Sequence, residues 1–364
     1  MLAAVVFCGS RPFFRTLDST GWPMADITHM QDIPSARSGA AVLTRLMLSH
    51  EFGLAALIAV AACVFAVTLN GFTSPFSLFT IGRQIGIDTM IGLAMMAVIV
   101  TGGLDLSLGA MGVCAAMVFG WLVQSAGWPI YLAIPLAVLF GGCLGFLNGF
   151  TVVTSGVHSF IITLASMSIF FGVMIFLTKA AAFNGLPPSL QAFGKMKLGG
   201  VISPLLVISV VTCVALAVFY RLSVMGRQML AAGANPRAAE LSGIRTGRVI
   251  IICHVLTGLL AAMAGLMVTA RTGAVVPSMA GQLGQDWLLP AFLAPVLGGT
   301  LLSGGRVSVL GTLLGATFVN VLTSGLLLMQ VGAFWILAVL GLMLLLAVLA
   351  DKSRQHFLKS RGMI

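Results

Sequence analysis

The sequence predicts an all-α integral membrane protein, a polytopic helical bundle of 8–10 transmembrane helices. Three observations predict it. Hydrophobic residues make up 59% of the 364 residues and charged residues only 8%, whereas a soluble domain carries about 25% charged residues to build its wetted surface. The mean hydropathy is +1.11, and the apolar residues fall into successive runs of membrane-spanning length. Glycine is abundant, with 43 residues, as expected where membrane helices pack closely through small side chains.

Ten apolar segments follow one another along the chain. The first, 51–70, comes after a polar arm. The second, 84–101, runs into Gly102-Gly103, and the third, 108–124, opens beyond that break. The fourth, 128–148, carries Gly141 and Gly145, and the fifth is 159–178. The sixth, 201–220, and the seventh, 249–270, flank a polar, basic, Ala-rich island. The eighth, 286–302, contains Gly298-Gly299; the ninth, 308–329, carries Gly311 and Gly315; the tenth, 333–350, precedes a basic tail. The third and eighth are short and flanked by glycine, so either can be re-entrant or broken.

Cationic loops are retained on the cytoplasmic side of a membrane. With ten spans, one face holds Arg11, Arg15, Arg37 and Arg45 of the arm, and Arg221, Arg227, Arg237, Arg245 and Arg248 of the island. It also holds Arg306 and the tail's Lys352, Arg354, Lys359 and Arg361. The other face holds only Arg83, Lys179, Lys195, Lys197 and Arg271. The asymmetry places both termini and the 221–248 loop in the cytoplasm. The expected organisation is a disordered cytoplasmic arm over 1–48, a transmembrane domain over 49–351 and a cytoplasmic tail over 352–364. Leu2 to Cys8 does not read as a secretory signal, because no basic residue precedes it and bulky Phe7 stands before the cysteine. Met24 is a second candidate start.

Several function classes are excluded or disfavoured. The net charge of +10 is explained by loops that set topology, so no nucleic-acid partner is expected. The six cysteines form no CxxC pair and read as small packing residues. His158 and His254 have no second ligand one turn away, so no metal site and no cofactor are expected. No HExxH, GxSxG or carboxylate cluster offers a catalytic seat. Gly194-Lys195 lacks a preceding phosphate-cradling loop, so the chain has no Walker A motif. Leu302-Ser303-Gly304-Gly305-Arg306 is similar to the ATPase signature but lies between two apolar segments, and it reads as a membrane-edge turn.

Charges deep in lipid cost about 3 kcal/mol or more and need partners. Asp105 sits in a Gly-rich break where backbone N–H groups and Ser107 can satisfy it, a structural role, with direct solute contact as the alternative. Asp88 and Asp286 read as interfacial residues near span ends. A faint echo links Gly102-Gly103 with Gly298-Gly299, each followed by a Gly-rich helix with an asparagine, Asn148 and Asn320. The candidate pathway or break residues are therefore Gly102, Gly103, Asp105, Ser107, Asn148, Gly298, Gly299 and Asn320. The four-residue spacing of Gly141, Gly145 and Gly149, and of Gly311 and Gly315, reads as helix-packing ridges.

The island between the sixth and seventh segments has its own local logic. Asn235-Pro236 can start a helix with proline at the first helical position. Arg237 to Leu241 continues it, and Ser242-Gly243 can end it. Ala238 and Ala239 keep one side slim enough to enter a groove, and Glu240 supplies a charge for a partner. The candidate coupling residues are Gly233, Asn235, Ala238, Ala239, Glu240, Ser242 and Gly243. An ordinary solvated loop is the plain alternative.

Three motifs in order carry a family resemblance. Thr101-Gly102-Gly103-Leu104-Asp105-Leu106-Ser107-Leu108-Gly109 resembles the TGGxDLSxG motif of bacterial ABC-transporter permeases in the ribose/xylose/galactoside branch. Gly233 to Ile244 resembles that family's G-x-N-x-x-A-A-x-x-S-G-I coupling loop, and Val296 to Gly305 resembles its late VLGGTSLxGG segment. The similarity covers about residues 50–351. The arm is longer than usual, Leu302 stands where the family often has Ala, and Thr272 to Gln285 matches only loosely. The resemblance implies a type II ABC importer architecture in the bacterial inner membrane. Two permease subunits, identical or paralogous, would form the pathway for a monosaccharide or polyol-like solute. Separate ATPase subunits would dock at the 221–248 loops, and a periplasmic solute-binding protein would deliver the cargo. The chain itself would not be an enzyme. An ion-gradient-driven secondary transporter is the rival; it would want paired intramembrane acids.

Overall fold

The computed structural model describes residues 50–360; the expected arm over 1–48 and residues 361–364 lie outside the described residues. Among the described residues there is no strand, and the chain is a helical bundle. The helices are α1 (His50–Thr68), α2 (Pro75–Ile99), α3 (Leu108–Gln124), α4 (Ile130–Ser155), α5 (Ser159–Thr178), α6 (Pro188–Lys195) and α7 (Pro204–Leu222). They continue with α8 (Val224–Ala234), α9 (Pro236–Leu241), α10 (Thr246–Thr272), α11 (Leu288–Leu297), α12 (Val309–Leu328) and α13 (Ala333–Ser360). Seven of the described helices are long and apolar enough to cross a membrane, and Leu108–Gln124 and Ala333–Leu349 are shorter apolar helices. With α11, the ten expected segments all appear in order.

Helix α2 is the axis of the bundle. Every residue from Ile85 to Val100 is buried, as expected of a helix that is apolar on all sides. Its start differs from the sequence expectation. Ser74 caps it by accepting from the Ser77 N–H at 3.2 Å, with Pro75 in the first turn, so the helix begins nine residues before position 84. That places Asp88 inside the helix rather than at an interface, which corrects the sequence reading. Asp286, by contrast, is exposed.

The glycine ridges are packing surfaces. A methyl at Gly141, Gly145 or Gly149 on α4 would meet Gly258 O at 2.6 Å, His254 O at 2.1 Å or Ile251 Cα at 2.8 Å on α10. Gly311 and Gly315 on α12 stand likewise against Gly298 and Ala294. These spacings permit backbone-to-backbone approach that any larger side chain would prevent. The cysteines only partly fit their expected role: Cys114, Cys213 and Cys253 are buried, while Cys63 and Cys143 are exposed.

Alternate connections gather at opposite ends. At one end Gly305 N–H donates to Val100 O at 2.9 Å and Leu104 N–H to Ser159 Oγ at 3.0 Å. The same end holds the 223–245 segment. At the other end Phe183 pairs with Val275, Gly185 N–H donates to Gln124 Oε1, and Gln191 reaches Gly273 O. Arg306 and the island's arginines thus lie at the first end, and Lys179, Lys195, Lys197 and Arg271 near the second.

The eighth segment is broken. After α10 the chain turns back into the bundle: Gly284 packs against Gly109 and Ala110, and Trp287 against Gly112. Leu283 and Gly284 adopt left-handed backbone, φ 60° and 80°, inside the short 3-10 turn Gln282–Trp287. Helix α11 starts only there, and its ten residues span about 15 Å, half a bilayer core. Irregular backbone at such depth is tolerated because protein surrounds it. The echo between the two glycine breaks does not extend to the asparagines in register: Asn148 lies on α4, the second helix after its break, and Asn320 on α12, the first after its own.

Candidate functional site

The island folds as predicted, with one helix more. Ser223 accepts from Gly226 N–H at 2.8 Å and starts α8. Asn235 Oδ1 accepts from Ala238 N–H at 3.1 Å and starts α9, with Pro236 in its first turn. Ser242 ends α9 and Gly243 follows at φ +81° in the left-handed region. The two helices form an elbow that projects Ala238, Glu240 and Leu241; Leu241 is 91% exposed. One expectation needs correction. Ala239 is 4% exposed and packs inward, so it does not line the free face. Glu240 Oε1 accepts from the Thr246 hydroxyl at 2.6 Å, so its carboxylate also ties α9 to the first residue of α10.

Gly233 does something the sequence did not show. A methyl there would lie 1.8 Å from Val100 O and 2.5 Å from Gly305 N. Methyls at Gly304 and Gly305 would meet Gly102 N at 2.7 Å and Ala234 Cα at 2.6 Å. The elbow, the 100–107 break and the 298–308 break therefore meet backbone to backbone in one knot. Gly102, Gly299, Gly304 and Gly305 all have positive φ there, which favours residues without a Cβ.

Beyond the knot lies a buried polar chain. Asn148 Nδ2 donates to Ser107 Oγ at 2.6 Å; Ser107 Oγ donates to Asp105 Oδ1 at 2.6 Å, as does Ser107 N–H at 2.9 Å. On the other carboxylate oxygen, His254 Nδ1 lies 2.9 Å away. Asp105 and Ser107 are 0% exposed and His254 and Asn148 1%. Ser107 satisfies Asp105 as the sequence predicted. His254, read there as an isolated helix residue, is its second partner. The signal available was an ionisable side chain within an apolar span. Gly103 stands beside Ser159 Oγ at the mouth of this region. Here a recess of about 570 Å³ is bounded by Thr101, Gly102, Gly103, Ser159, Thr246 and His254.

Asn320 belongs to a second, partly buried cluster. Its Nδ2 donates to Asp88 Oδ2 at 2.8 Å, and Gln84 Nε2 donates to Asp88 Oδ1 at 3.0 Å. Arg271 in turn donates to Gln84 Oε1. A carboxylate, two amides and a guanidinium so link α2, α10 and α12. Among the described residues no group of three or more His, Cys, Asp or Glu is placed to hold a metal ion.

Comparison with known proteins decides the family. Residues 77–348 match the family described as "Branched-chain amino acid transport system / permease component". The chain belongs to this permease family. The permease is 36% identical over 286 residues to the ribose import permease protein of Bacillus subtilis, covering 78% of this chain and 87% of that one. It is 34% identical over 328 residues to the ribose import permease protein of Escherichia coli K12, covering 87% and 98%. It is 33% identical over 297 residues to the fructose import permease protein of Rhizobium meliloti, covering 79% and 81%. No solved structure matches. The permease is thus a multi-pass membrane component of a transport system, and all three motifs singled out in the sequence fall within the matched span. Two of them and the Gly233 end of the third form the knot.

Proposed function

We propose that the permease is the membrane-spanning half of an ATP-driven importer for a monosaccharide or related polyol-like solute in a bacterial inner membrane. ATP is hydrolysed on a separate subunit that docks at the elbow. A second permease subunit completes the pathway, and a periplasmic binding protein delivers the solute. The observation that carries this reading is the elbow itself: a capped, exposed helix whose neighbour α8 packs through Gly233 against the backbone of both internal breaks. A handle in water is useful only if something pulls it, and the knot gives the pull a route inward. The solute class is supported by the ribose and fructose import relatives. The ion-gradient rival finds little support, because Asp88 and Asp105 are both engaged in hydrogen bonds within the fold.

The test is reconstitution of the permease with its ATPase and binding protein in proteoliposomes. ATP-dependent uptake of D-ribose or D-fructose is expected, and Ala238→Cys is expected to form crosslinks to the ATPase. Uptake that proceeds without the ATPase and collapses with an ionophore would overturn the reading.

A further inference from the structure

We propose that His254 is a positioning residue for transport, carrying motion of the elbow into the 100–107 break through its hydrogen bond to Asp105. The proposal rests on the reading of the elbow as the ATPase handle. Four observations support it. First, α10 begins at Thr246, whose hydroxyl is bonded to Glu240 on the elbow. His254 lies eight residues further along the same helix, about 12 Å inward. Any displacement of the elbow along α10 therefore arrives at His254. Second, Asp105 occupies the break whose other end, Val100, is held in the knot by Gly233 and Gly305. The break is gripped from both sides: by the elbow through main chain, and by α10 through one side-chain pair. Third, that pair is the one salt-bridge contact found among the described residues, and it joins two groups 149 positions apart. A carboxylate only accepts, so Nδ1–H is the donor.

Fourth, the chain of bonds is incomplete. His254 Nε2 and Asn148 Oδ1 are buried and have no partner. A network that serves only to hold the fold is expected to satisfy such atoms, since each orphan costs stability. Of the four such atoms among the described residues two lie on this four-residue chain, which leaves it spare acceptors with which α4, α10 and the break can exchange partners as they move. The tight contact of Gly145 and Gly149 with the backbone and Cβ of His254 and with Ile251 leaves α10 little freedom except to slide along α4. Sliding is the motion that would break and remake the bond to Asp105.

The experiment uses the whole complex in proteoliposomes, with D-ribose as probe, and reads imported solute per ATP hydrolysed. His254→Asn can present an amide N–H near the Nδ1 position; His254→Gln moves the amide out toward Nε2. The ratio is expected to fall at least about tenfold in His254→Gln and His254→Ala, the lower bound for losing a hydrogen bond to a charged group. ATP hydrolysis stays within about threefold of the parent, and His254→Asn recovers most of the ratio. Asp105→Asn in combination with His254→Gln is expected to be no worse than either alone. If uptake and hydrolysis fall together, or the ratio stays unchanged in His254→Gln, His254 only supports the fold and the proposal is overturned. Should His254→Ala fail to yield monodisperse protein, the Asn and Gln pair alone decides. Failure of the parent complex to couple uptake of either D-ribose or D-fructose to ATP would instead refute the proposed function on which the elbow reading stands.

Discussion

Gly233→Ala tests the knot most directly, because it adds a single methyl group. The added carbon would lie 1.8 Å from Val100 O, whereas ordinary contact begins near 3.4 Å. Elbow and break would have to separate by about 1.6 Å. Gly305 N is 2.5 Å from the same methyl, so the elbow is pushed off both breaks at once, while the 2.9 Å bond from Gly305 N–H to Val100 O joins the breaks to each other. Overpacking of this kind costs about 1–3 kcal/mol. That cost falls on the contact between elbow and break and leaves the lipid-facing helices untouched. Gly233→Ala protein is therefore expected to insert and purify with a melting temperature lowered by several degrees, while ATP-driven uptake falls at least tenfold. Gly243→Ala is the control. Unlike helical Gly233 it is at positive φ, but nothing lies within 4 Å of the new methyl, so only the local backbone strain of about 1–2 kcal/mol applies. Equal uptake by Gly233→Ala and parent protein would refute the idea that the knot transmits force.

Three further outcomes are expected. Asn235→Ala removes the side-chain cap of α9, worth about 0.5–2 kcal/mol; hydrogen exchange at Ala238 N–H should accelerate by about 2- to 30-fold, and unchanged exchange would count against the cap. Gly284→Ala would push a methyl to 2.5 Å from Ala110 N at φ +80°, so the re-entrant turn should lose its seat on α3, read as a loss of monodisperse protein on gel filtration. Asp88→Ala removes an acceptor from Gln84 and Asn320, though Asn320 Nδ2 keeps its bond to Ala316 O, and should cost about 1–3 kcal/mol; Asp88→Asn should cost less, and thermal unfolding in detergent would rank them.

What could be read from the sequence was what local chemistry encodes. Asn235-Pro236 and Ser242-Gly243 delimit α9 because capping and the left-handed turn act over three or four residues. The ridge of Gly141, Gly145 and Gly149 was legible because helical periodicity alone aligns it. The early part of α2 was missed because Ser77, Thr80, Arg83 and Gln84 interrupt its apolar run, and with it went the burial of Asp88. Ala238 and Ala239 are chemically identical; only the docking of a six-residue helix turns one inward. The pairing of His254 with Asp105 joins residues from distant segments, and nothing in either neighbourhood names the other. The knot was hidden for the same reason, since its three strands of chain are individually ordinary Gly-rich turns.

The joint between elbow and breaks is assembled from main-chain atoms. Its fit is indifferent to which side chains line the conduit, so the cargo a descendant carries can drift without loosening the linkage to its engine. Only an added carbon at one of a few glycines would be felt there. Preference for a solute and response to the drive can accordingly evolve as separate properties of one chain.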